Sequence, residues 1–200
     1  MDNVLAKPAD LCCLKGAFHS GEATGSTIQI DGIDTYVAKP HPNRSNGNVI
    51  LFFPDAFGLH INSFLMMDAF AECGYLTLGV DYFLGDPVTK HSLTPLSDPN
   101  FDFESWKNKH LKASEEAAAR WVKAVKTHYG TSEDVKFACV GYWTIEILTE
   151  NNKQFNMQVF ANVGHGFASR ARLTDPYEKW AKEASFKSFV DWFDFWMDKQ

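Results

Sequence analysis

The stretch Val135-Lys136-Phe137-Ala138-Cys139-Val140-Gly141-Tyr142-Trp143 reads as a strand running into a turn. The run is apolar and β-branched, it ends in Gly-Tyr, and Ile145 and Leu148 then fall among polar residues at a helical spacing. A strand-to-helix turn of this kind carries the nucleophile where the pattern is Gly-x-Ser/Cys-x-Gly, because the turn is strained and small neighbours leave the side chain clear of the sheet. Here Gly141 is followed by Tyr142, Trp143, Thr144 and Ile145. The frame of such an elbow is present, and its nucleophile and second glycine are not.

Upstream, Val49-Ile50-Leu51-Phe52-Phe53 is a continuous apolar run, the pattern of a strand buried on both faces. Pro54-Asp55-Ala56-Phe57-Gly58 breaks it. A helical pattern follows, with Phe64, Met67 and Ala71 on its apolar stripe and Gly74 at its end. Tyr75 to Val80 is the next strand, so the segment is a βαβ unit and the sheet is parallel there. Before it, Thr27–Ile30 and Ile33–Ala38 alternate around Asp31-Gly32, a two-residue hairpin signal. Residues 1–26 read as an irregular arm.

Residues 83–103, with Gly, three prolines and several Asp, predict a long loop of the kind that often forms lids or binding segments. A helix is expected over 104–128, with Leu111, Ala118, Trp121, Val122 and Val125 on its stripe. After the elbow come a short helix and a last strand at Met157–Phe160, then the loop Gly164-His165-Gly166-Phe167. Asp175-Pro176 opens a long amphipathic helix that places Trp180, Ala184, Phe186, Phe189, Val190, Phe193, Trp196 and Met197 toward the sheet. The whole of 1–200 is read as one α/β domain with a mostly parallel sheet.

Composition narrows the function. A chain of 200 residues, 45% hydrophobic and 14% aromatic, can bury a substantial core. Its net charge of −6, with no basic patch, gives nucleic-acid binding no electrostatic footing. No apolar run approaches the roughly 20 residues of a membrane span. The cysteines at 12, 13, 73 and 139 lack zinc-finger spacing and read as reduced thiols, Cys139 as a buried strand residue. With no secretory leader pattern at Met1–Leu5, the expectation is a cytoplasmic protein, and the sequon Asn43-Arg44-Ser45 is read as fortuitous. No cofactor or metal is expected.

Ligands in open α/β sheets gather outside the carboxyl ends of the strands. Pro54–Gly58, Gly141–Thr144 and Gly164–Phe167 all fall there. Together with Cys12-Cys13, Gly16 and His19, Gly32–Ala38, Phe53–Gly58, Gly74-Tyr75-Leu76, Asp81–Pro87, Gly164–Phe167 and Asp175–Trp180, the chain resembles the dienelactone hydrolase family, specifically its fungal members. The resemblance implies a single-domain, three-layer α/β-hydrolase fold and a Cys–Asp–His triad acting on an ester or lactone, in these fungal members as part of secondary metabolism. It maps the triad histidine onto His165, an oxyanion-loop N–H onto Ala56, and the acid that meets the resting nucleophile onto Asp55. The nucleophile's position is Trp143, and the triad Asp falls in a segment this chain lacks.

The shortage is also a matter of length. Between Gly141 and His165 lie 23 residues, whereas the elements that normally separate a nucleophile from its histidine need about 60 to 75. The expected fold is therefore shortened by about one βα unit, by evolution or by a misread gene junction. Asp55 has an alternative reading as the cap of the following helix. Arg170 and Arg172 read either as exposed loop charges or as contacts for a carboxylate substrate. Two functions stay open: an impaired hydrolase, and a non-catalytic protein or truncated product that binds a ligand or protein. Loss of a central unit would expose apolar sheet, which a homodimer could cover.

Overall fold

The computed structural model describes residues 16–95, 97–141, 158 and 160–197. In chain order the described elements are β1 (Ser26–Ile30), β2 (Ile33–Ala38), β3 (Val49–Phe53), α1 (Ile61–Glu72), β4 (Leu76–Val80), α2 (Phe103–Tyr129), β5 (Phe137–Gly141), α3 (Phe167–Arg170) and α4 (Pro176–Met197). The short helix after Trp143 lies outside the described residues, as does most of the strand expected at Met157–Phe160.

The five described strands form one sheet in the order β1-β2-β4-β3-β5. β3 pairs in parallel with β4 and β5, while β1–β2 and β2–β4 are antiparallel. The hairpin turn is as expected: Asp31 and Gly32 both have positive φ, 51° and 72°, which a two-residue turn of the primed type requires.

Alternation along β3 explains its continuous apolar sequence. Ile50 and Phe52 face a core shared with Met67 and Phe70 of α1 and Phe193 and Met197 of α4. Val49 and Leu51 face the opposite core, with Trp121 and Val125 of α2. The result is three layers, two helices on one face and one on the other. Trp121 is fully buried, and its indole N–H donates to Thr35 Oγ1 at 2.8 Å, so its one polar group is satisfied inside the core.

Three expectations about side chains need correction. In α2 the buried line is Phe103, Trp106, His110, Ala117, Trp121 and Val125, while Leu111 is 71% exposed. The helical repeat puts His110 on the inner face, where Asp86 Oδ2 lies 2.8 Å from its Nε2. In α4 the inner line runs Glu178, Ala181, Ser185, Phe193 and Met197. Trp180 and Trp196 stand outside it and are exposed. Cys139 is exposed as well, although neighbouring protein desolvates its thiol and raises its pKa.

The long loop after β4 is packed rather than free. Phe83 and Val88 join Phe57, Phe103 and Trp106 in a third apolar cluster. Trp106 Nε1 donates to Asp86 O at 2.8 Å. Asp86 also takes Lys109 Nζ and His91 Nε2, at 2.5 and 2.6 Å. These contacts tie the loop to the start of α2.

Candidate functional site

Pro54, at the end of β3, starts a loop that the chemistry of its neighbours holds in one shape. Asp55 Oδ1 accepts the Phe57 N–H at 3.0 Å, and Asp55 O accepts the Gly58 N–H at 2.8 Å. The loop is clamped from above: Ala56 O accepts the Val88 N–H at 3.0 Å, Thr89 Oγ1 donates to Phe57 O at 3.1 Å, and the Tyr82 hydroxyl donates to Pro54 O. Ala56 is half-buried. Among the described residues its N–H has no acceptor.

Asp55 does not cap α1. That place is taken by His60, whose Nδ1 accepts the Asn62 N–H at 3.4 Å. Asp55 instead forms an ion pair with Arg170, whose side chain is 2% exposed. The guanidinium carbon sits 4.5 Å from the centroid of the Phe57 ring, a cation–π contact. Ser169 Oγ adds a hydrogen bond to Asp55 Oδ2 at 3.3 Å. Arg170 is therefore a buried structural cation and not an exposed loop charge. Arg172 fits the exposed-charge expectation better: its side chain is 64% exposed, and its guanidinium pairs with Glu178 at 2.6 Å.

Arg170 lies in α3, one turn past His165, so the Asp55 pair draws the histidine loop against the β3 loop. Glycine makes the fit possible. A Cβ on Gly166 would lie 2.5 Å from Arg170 Nη2, and one on Gly16 would lie 2.4 Å from Arg170 Cβ. His165 itself stands at the surface. The protein that does cover its ring lowers its pKa below the usual 6.5, which favours the neutral imidazole at pH 7. The position of Trp143 lies outside the described residues.

Sequence reasoning missed the residues that buttress this corner. Asn62 is buried, donates Nδ2 to Ala17 O at 2.8 Å and to Ser169 O at 3.0 Å, and accepts the His19 N–H at 2.8 Å. It joins the arm, α1 and α3 at a single side chain. His19 Nε2 is 2.9 Å from Ala171 O. His60 lies edge-on to Phe18 and close to Phe57, and burial pushes its pKa down to about 4, with His19 adding to the effect. Lys182 donates to Ala168 O at 2.8 Å beneath α3, and burial lowers its pKa to about 8. The one signal in the sequence was the helical phase of Asn62, which puts a polar side chain on the inner side of α1.

No group of three or more His, Cys, Asp or Glu side chains among the described residues is placed to hold a metal ion. No described helix is long and apolar enough to cross a membrane.

A three-layer α/β sheet with its polar loops gathered at the carboxyl ends of β3 and near α3 has the architecture of an α/β-hydrolase. Comparison with known proteins narrows the class. The model of the dienelactone hydrolase family matches residues 33–144 and 143–196, two pieces that meet at Trp143-Thr144. The chain is 79% identical to "Dienlactone hydrolase 2" of Gibberella moniliformis, with all of both chains covered. That alignment runs over 234 positions, 34 more than the 200 residues here. It is 54% identical to "Dienlactone hydrolase 1" of the same fungus, over all of this chain and 98% of the other. A more distant relative, "Hydrolase pyvD" of Aspergillus violaceofuscus, is 28% identical over 96% of this chain and 98% of its own. This chain belongs to the dienelactone hydrolase family.

Proposed function

We propose that the chain is an ester- or lactone-directed member of its family, acting in fungal secondary metabolism, whose covalent chemistry is lost. The observation that carries this reading is the Asp55–Arg170 pair. It joins the loop of Ala56, whose N–H has no acceptor among the described residues, to the loop of His165. A donor for a developing oxyanion and a neutral imidazole are two of the parts an acyl-transfer site needs. The third, the nucleophile, has no candidate: Trp143 follows Gly141-Tyr142, and the Cys139 thiol is raised in pKa by desolvation.

The two-piece family match and the 34 surplus alignment positions support placing a missing segment at Trp143. With the nucleophile and acid removed together, any remaining turnover would run through water activated by His165. Triads stripped of members keep only ~10³ to 10⁴-fold acceleration from the oxyanion hole and binding. The fungal origin of the relatives supports the proposed setting.

A second reading, a non-catalytic binding protein, is favoured by that same tryptophan. Steady-state hydrolysis of p-nitrophenyl acetate by the wild type and His165→Ala separates the two. A slow rate that falls in the variant supports the residual hydrolase, and equal rates leave only the binding protein.

A further inference from the structure

One edge of the described sheet is formed by β1, which among the described strands pairs with β2 alone. The primed turn at Asp31-Gly32 makes Ile30 and Ile33 a hydrogen-bonded pair. Alternation then makes Thr27 and Gln29 the residues whose backbone N–H and C=O groups point away from β2. Those groups have no partner among the described residues. They are a short, ready template for another strand.

Beside this edge runs a groove of about 760 Å³ between β1 and the C-terminal half of α2. Its floor is apolar, with Ile28, Ile30, Ala124 and Tyr129. Ile28 is 40% exposed and lines this groove. Arg120 and Lys123, three positions apart on α2, line it together, and His128 lines it near the end of the helix. The facing acid is Asp31, and its Arg120 contact is a loose 3.8 Å between two exposed side chains. A cationic rim on a chain of net charge −6 is a local inversion of sign.

We propose that this groove receives an extended acidic peptide segment of a partner protein, which adds a strand to β1. Backbone pairing with Thr27 and Gln29 would set its register. Alternate side chains would then fall onto Ile28 and Ala124 or reach Arg120, Lys123 and His128 with carboxylates. A second copy of the chain fits less well, because an isologous contact would set the Arg120–Lys123 rim against its own image.

The test uses fluorescein-labelled (Glu-Val)₃ and (Lys-Val)₃ peptides in anisotropy titrations against the whole chain. Saturable binding of the acidic peptide, weakened by salt, is expected. It should fall about tenfold in the exposed double variant Arg120→Glu/Lys123→Glu, which in turn should favour the basic peptide. Gln29→Pro, which removes an outward N–H without touching the β2 ladder, should weaken the acidic peptide comparably. Circular dichroism would check that each variant is folded. Three results would overturn the proposal: no saturable binding up to about 1 mM, equal affinity for both peptides, or indifference to the charge reversal. A dimer in gel filtration that Gln29→Pro dissociates would overturn it too, in favour of a second copy.

Discussion

The Arg170 guanidinium is ion-paired with Asp55 across two segments 115 positions apart, and it lies 4.5 Å from the centroid of the Phe57 ring. Through it the loop after β3 and the loop carrying His165 become one unit. Removing one member of a buried pair leaves the other uncompensated. Arg170→Met should therefore destabilise the protein by about 3–5 kcal/mol in urea unfolding. The double variant Arg170→Met/Asp55→Asn should cost clearly less than the sum of the singles. Additive losses would mean the two residues are not coupled.

Asn62 gives a second prediction. Asn62→Ala removes three hydrogen bonds, takes its side-chain donor from the Ala17 carbonyl and leaves Ser169 O with only the 3.4 Å contact from Lys182 Nζ. A loss of about 2–4 kcal/mol is expected. The His19 amide should also lose protection in hydrogen exchange, because Asn62 Oδ1 is its acceptor. Unchanged protection at His19 would count against the role assigned to Asn62.

His60 predicts a pH dependence. Its pKa falls from 6.5 when unfolded to about 4 when folded, chiefly through burial. Between those values the unfolded chain binds the proton and the folded one does not, so stability falls as pH drops from about 6.5 toward 4 and levels off below. The contribution is roughly 3 kcal/mol across that window. His60→Asn keeps a capping side chain and removes the titration. The acid slope of stability should flatten in this variant, and an unchanged slope would assign it to other groups.

Much of the scaffold was legible because burial leaves a mark on periodicity. The hairpin, the βαβ unit, α2 and α4 all follow from runs and repeats of apolar residues with turn formers between them. What escaped notice were polar side chains serving as structure. Arg170 reads as a loop charge because nothing in its own segment reveals Asp55, which approaches from the loop after β3. The inner lines of α2 and α4 depart from the apolar repeat for a related reason: His110 and Glu178 occupy inner positions, each with a partner, Asp86 or Arg172. Leu111 and Trp180 share the apolar spacing, so periodicity alone assigns these exposed residues to the core. At the candidate site the loops are legible in the sequence, and the buttress beneath them, Asn62 and Arg170, is made by contacts between distant segments.

Thr35 supplies a prediction for the core alone. Thr35→Val is nearly isosteric but leaves the buried Trp121 indole N–H unsatisfied, at a cost of about 1–3 kcal/mol in urea unfolding. A neutral result would mean that the indole finds another acceptor.

The proposed loss of the nucleophile is tested most directly by following p-nitrophenyl acetate under stoichiometric conditions, with intact-protein mass spectrometry at each time point. The expected result is no burst of p-nitrophenol and no acyl adduct that forms and decays with turnover. A single stoichiometric adduct that appears in a burst and is then hydrolysed would contradict the reading and identify a working nucleophile.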